Sequence, residues 1–118
     1  MTHGPHDHRI ALGRAGEDRA AAWYACRGYQ IVERNWRCRA GEIDLVCARP
    51  EVLVFCEVKT RGSDRYGAPV ETVTRSKQLR LRRLAAEYMF AHTCGGHQTR
   101  FDVAAILGHR LVVVEGAF

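Results

Sequence analysis

Apolar residues recur at helical spacing near the start of the chain, and in alternating or continuous runs through its middle. Residues 13–27 read as a helix that stops at Gly28, where a glycine ends a helix without a Cβ penalty. Ala20, Ala21 and Tyr24 share one side of it, with Ala25 at the edge and Glu17 in the middle. Residues 29–37, 42–48 and 52–59 read as strands, and Pro50 interrupts the last two as a turn would. Gly62 and Gly67 bracket a polar loop. A second helix is predicted from Thr74, a natural N-cap, to His92, with Leu81, Leu84, Ala85, Tyr88 and Met89 on its inner arc. Residues 99–107 and 110–115, on either side of Gly108, complete the strands. The order α-β-β-β-α-β-β predicts an α/β (α+β) domain with helices layered on a mixed central sheet. Residues 1–9 carry His3, His6 and His8 without apolar periodicity and read as a loose tail, leaving 10–118 as one domain.

A chain of 118 residues with 47% apolar content can bury one core without staples. It shows no charged-then-apolar leader and no apolar run near the roughly 18 residues of a membrane span. The expected compartment is therefore the cytoplasm. Five cysteines stand apart at Cys26, Cys38, Cys47, Cys56 and Cys94, an odd number with no C-x-x-C pair. That spacing argues against a disulfide framework or a zinc site, and in strand runs Cys47 and Cys56 act as small apolar residues.

The net charge of +5 matters through its location. Arg75, Lys77, Arg80, Arg82 and Arg83 against the single acid Glu87 put four of those charges on the second helix. Such a face suits nucleic-acid phosphates, and it equally suits plain solvation. Arg75, Arg80 and Arg83 point outward for backbone phosphates, with Lys77 beside them. Arg61, Arg65 and Tyr66 lie in or beside the glycine-flanked loop, which could close on DNA.

The hairpin around Pro50 carries the candidate chemistry. If Arg49 faces Val52, counting back places Asp44 opposite Glu57 and Glu42 opposite Lys59. Opposed side chains share a face with Cβ atoms about 4.5–5.5 Å apart, so two carboxylates there repel unless a cation lies between them. Mg²⁺ or Mn²⁺, hard ions that take oxygen ligands, would serve. Lys59 reaches the same face and could orient a water or balance developing charge on a phosphodiester. The opposing reading is a surface hairpin with exposed ion pairs, which the apolar run Val52–Cys56 weakens, because it reads as a central strand. Glu17 has two open readings: a buried carboxylate that needs a partner, or a wet helix start. Gln78 falls on the inner arc of the second helix, where its amide could meet phosphate or a metal-bound water, or simply mark a wet end. Trp23 and Trp36 are expected in the core, and Asp102 to be structural.

Glu17, Asp44 in GEIDL and Glu57-Val58-Lys59 in FCEVKTR resemble the PD-(D/E)XK nuclease superfamily. Together with GYQIVERNWR, VTRSKQ and RFDVAAI, they more closely resemble the small bacterial YraN family, from about Gly13 to Ile106. The resemblance implies a restriction-endonuclease-like core, similar also to archaeal Holliday-junction resolvases. It implies Asp44 and Glu57 as ligands of Mg²⁺ or Mn²⁺, the Val58 carbonyl as a third, Lys59 as the catalytic lysine and Glu17 as an acid from the first helix. Ile43 stands where the superfamily's eponymous proline would precede Asp44. The likeness to resolvases further implies a homodimer, because two strands must be cut. Three functions stay open: a metal-dependent endonuclease on branched or damaged DNA, a non-cleaving nucleic-acid-binding module, and an interaction domain for an acidic protein partner.

Overall fold

The computed structural model describes residues 5–61, 73–92 and 98–118. The elements are α1 (Pro5–Cys26), β1 (Gln30–Cys38), β2 (Gly41–Arg49), β3 (Val52–Arg61), α2 (Arg75–Ala91), β4 (Gln98–Leu107) and β5 (Arg110–Val114). The strands form one mixed sheet in the order β1-β2-β3-β4-β5. All neighbours are antiparallel except β3 and β4, which are parallel. A parallel pair needs a crossover, and α2 lies within it.

The two helices cover opposite faces. Ala20 and Tyr24 of α1 pack with Tyr29, Leu45, Cys47, Val54, Cys56 and Ala104. Leu81, Leu84, Ala85 and Tyr88 of α2 pack with Ile43, Val46, Leu53, Phe55 and Phe101. β3 therefore buries both of its faces, which explains its unbroken apolar run. Trp23 and Trp36, expected in the core, pack against the edges of these clusters and are only half-buried. No helix among the described residues is long and apolar enough to cross a membrane.

The sequence placed most element boundaries within two residues, with one larger difference. α1 begins at Pro5 rather than near Gly13, so residues 5–9, expected as a loose tail, are helical. Proline suits a helix's first turn, and a helix can continue without an apolar stripe. At its other end Gly28 adopts φ +84, and Tyr29 N donates to Tyr24 O at 3.1 Å. The buried stripe of α1 is Gly16, Ala20 and Tyr24, with Ala25 exposed. Thr74 caps α2 by accepting from Lys77 N at 3.2 Å.

Asp102 is fully buried and fully bonded. It accepts from Tyr24 Oη at 2.6 Å, from Arg100 Nε and an Arg100 terminal nitrogen at 2.9 Å each, and from Gly116 N at 2.9 Å. One carboxylate thus ties α1, β4 and the C-terminal turn together, which accords with a structural role.

Candidate metal and nucleic-acid site

β2 and β3 pair as the turn dictates from Arg49↔Val52 to Leu45↔Cys56, where their ladder ends. From there β3 continues alongside β4 to Arg61↔Leu107, while β2 continues alongside β1 to Cys38↔Gly41. The sheet is forked, and Asp44 stands at the fork. The direct pairing of Asp44 with Glu57 expected from the turn is not made. Instead Asp44 Oδ2 accepts the backbone N–H of Val58 at 2.9 Å.

The cause is a reversal of strand alternation. Leu45 and Cys47 face α1 while Val46 and Ala48 face α2, yet Ile43 also packs on the α2 side. On β1, Arg34 reaches Asp18 of α1 whereas Trp36 packs edge-on to Tyr88 of α2. Between them lies Asn35 with φ 53, at the position skipped between Arg34↔Leu45 and Trp36↔Ile43. That position is the one opposite Asp44. A left-handed residue interrupts the period of two, so both strands change face here.

The reversal moves the acids. Glu42 joins Glu17 and Asp44, and the three offer carboxylate oxygens all within 4.8 Å of one another. Glu57 contacts Lys77 of α2 at 2.6 Å and is 12% exposed at its side chain. Glu42, expected opposite Lys59, lies beyond the end of the β2–β3 ladder and accepts from Arg37 Nε at 2.9 Å. Glu17 proves to be the partnered carboxylate: 14% exposed, it accepts from Asn35 Nδ2 at 2.9 Å and lies 3.9 Å from Arg34. Gly16 lets α1 lie close to β3, since a Cβ there would stand 2.6 Å from Thr60 Oγ1.

Asp44 consequently holds its proton far more tightly than an ordinary carboxylic acid, its pKa pushed up to about 7. Burial contributes most, followed by the charge of Glu57; Glu17 and Glu42 add to it, and the Val58 N–H opposes it. A set of oxygen donors with an electrostatic deficit fits a hard divalent cation. An open cleft of about 490 Å³, lined by Gly13, Arg14, Glu17, Asn35, Arg37 and Glu42, adjoins the cluster.

Lys59 is half-buried on β3, beside Ala105 of β4, and regular alternation gives it the same face as Glu57. Val58 packs its side chain in the α1 cluster. Gln78 donates its amide to Val73 O at 3.1 Å, joining the segment that precedes α2. Lys77, grouped by sequence with the outward arginines, is spent on Glu57. Arg75, Arg80 and Arg83 are exposed on α2, as expected, with Leu79 exposed among them. Arg65, Tyr66 and the side chain of Arg61 lie outside the described residues.

Sequence reasoning missed Asn35; it put Glu42 on the face of Asp44, where the structure has it, but set it opposite Lys59, beyond the point where the β2–β3 ladder ends. The available signal was an asparagine inside a strand run, a residue depleted in strands and tolerant of positive φ.

The model of the uncharacterised protein family UPF0102 matches residues 16–106. A UPF0102 protein of Moorella thermoacetica is 48% identical over 116 residues, covering 93% of this chain and 97% of the relative. One from Frankia casuarinae is 52% identical over 96 residues, 81% of each chain. Another from Rhodococcus opacus is 50% identical over 103 residues, 86% of this chain and 87% of that one. The matched stretch contains the fork, the acidic cluster and the basic helix, and the chain belongs to the UPF0102 family.

Proposed function

We propose that this protein is a nuclease of the PD-(D/E)XK kind that hydrolyses phosphodiester bonds in DNA, with branched or damaged DNA as its substrate class. Mg²⁺ or Mn²⁺ would be held by Asp44 with Glu17 and Glu42, and by Glu57 once Lys77 yields it. The observation that carries this reading is the fork, which gathers acidic side chains around a half-buried Asp44 whose pKa is pushed up to about 7. When bound, such an ion polarises a phosphate and makes its water more acidic. Lys59 is suited to orient that water and balance charge on the phosphate. Its place two residues after Glu57 supports that role. The exposed arginines of α2 suit backbone phosphates, and a cytoplasmic homodimer would present one fork to each strand of a duplex.

The ion pairs Lys77–Glu57, Arg37–Glu42 and Arg34–Glu17 favour a second reading, since they already balance three of the four acids. In that reading the protein binds nucleic acid without cutting it. The test is purified protein with labelled linear, flapped and four-way DNA, in Mn²⁺ or in EDTA. Products that form with Mn²⁺ and vanish in EDTA support the nuclease. Retarded but uncut DNA under every condition supports the binding module.

The binding surface has its own prediction. Replacing Arg75, Arg80 and Arg83 together by alanine should weaken DNA binding similarly across sequences and flatten its salt dependence by up to about three phosphate contacts. Fluorescence anisotropy over a salt series measures this. An unchanged slope moves the surface away from α2, to the Arg61–Tyr66 loop.

A further inference from the structure

We propose that Asn35 is a positioning residue of the acidic site, holding Glu17 with its amide and setting the fork with its backbone. The inference rests on the metal-site reading above and adds to it a residue outside the carboxylate set. Asn35 is the sole non-glycine residue with positive φ among those described. It sits at the skipped register position opposite Asp44, where both strands change face. Its Nδ2 donates to Glu17 Oε2 at 2.9 Å, and it lines the same cleft as Glu17 and Glu42.

The two features are separable. A left-handed backbone costs most L-residues on the order of 1 kcal/mol, and glycine tolerates it best. The backbone alone therefore does not require asparagine. What glycine cannot supply is a side-chain donor. Glu17 lies on α1, near Glu42 and Asp44, whose charges repel its own. From β1, the Asn35 amide and the Arg34 guanidinium face it. Without the amide, the Glu17 carboxylate is free to swing away from its acidic neighbours. Residues that orient metal-binding groups in this way commonly alter metal affinity by about 10–100-fold.

The experiment is a calorimetric Mn²⁺ titration of wild type, Asn35→Gly, Glu17→Gln and the double variant, each with a thermal melt. Asn35→Gly keeps the backbone conformation and removes the amide. It should melt close to wild type and bind Mn²⁺ about 10–100-fold more weakly. In the Glu17→Gln background the same change should have no further effect on affinity, because its target is gone. Wild-type affinity in Asn35→Gly overturns the proposal, and so do losses that simply add in the double variant. If Asn35→Gly also melts lower, the comparison in the Glu17→Gln background still decides between a local and a global effect. A wild type that binds no Mn²⁺ overturns the metal-site reading itself, a result distinct from wild-type binding that Asn35→Gly leaves intact.

Discussion

Asp44→Asn should stabilise the metal-free protein near pH 8 and abolish DNA cleavage. The wild-type carboxyl has its pKa raised from 3.8 to about 7, chiefly by burial and then by the charge of Glu57. The folded state therefore binds the proton more tightly than the unfolded state does. The sign follows: as far as this carboxyl is concerned, stability is highest below pH 4, falls as pH rises from about 4 to about 7, and is level above that. Asparagine carries no titrating proton and its oxygen can still accept from Val58 N, so that fall should disappear. Near pH 8 the variant should gain up to about 4 kcal/mol, the equivalent of a shift of about three pKa units, and melt several degrees or more higher. Cleavage should drop by a factor on the order of 10³ or more, as expected when a group acting in the transition state is removed. Thermal melts in EDTA from pH 4 to 8, beside a cleavage assay, measure both halves. An apo variant that melts below wild type at pH 8 would make Asp44 a structural acid.

Asp102→Ala has the largest expected effect on stability, and it lies away from the proposed chemistry. The carboxylate takes four hydrogen bonds at zero exposure. Removing it leaves the Tyr24 hydroxyl buried and the Arg100 guanidinium, one quarter exposed, without its bidentate acceptor. Breaking one side of a buried ion pair costs about 3–5 kcal/mol. That is a large share of the roughly 5–15 kcal/mol that typically holds a domain together. Urea denaturation should show the midpoint falling sharply with little change in slope. A loss under about 1 kcal/mol would mean that water replaces the carboxylate without penalty. Asp102→Asn should fall between the two, because it keeps the shape and one acceptor.

The contrast between these two acids shows what the chain reveals before it folds. Element order and helix faces were legible because they rest on periodicity, and the turn at Pro50–Glu51 fixed the register as far as Leu45↔Cys56. One pair further, the counting failed. Regular alternation puts Asp44 and Glu57 face to face, but the left-handed backbone at Asn35 lies on a different strand and changes the face used by β2. No pattern within β2 or β3 announces that. Glu17 was legible as an acid on a core stripe that needed a partner, while the partner's identity depended on the same distortion. Lys77 was placed with the outward arginines by sequence proximity. Its position in the first turn of α2 brings it to Glu57, a contact that depends on how the helix meets the sheet.

The claim on which the rest depends is that the fork is a divalent-metal site serving hydrolysis, and Mn²⁺ calorimetry tests it most directly. Wild type, Asp44→Asn and Lys59→Ala should be titrated side by side near pH 8, with cleavage followed on the same samples. Wild type should bind Mn²⁺ and cut DNA, and Asp44→Asn should do neither. Lys59→Ala should bind Mn²⁺ with near wild-type affinity yet fail to cut, because its proposed work is on the water and the phosphate. No Mn²⁺ binding by wild type, or equal binding by Asp44→Asn, would contradict the account.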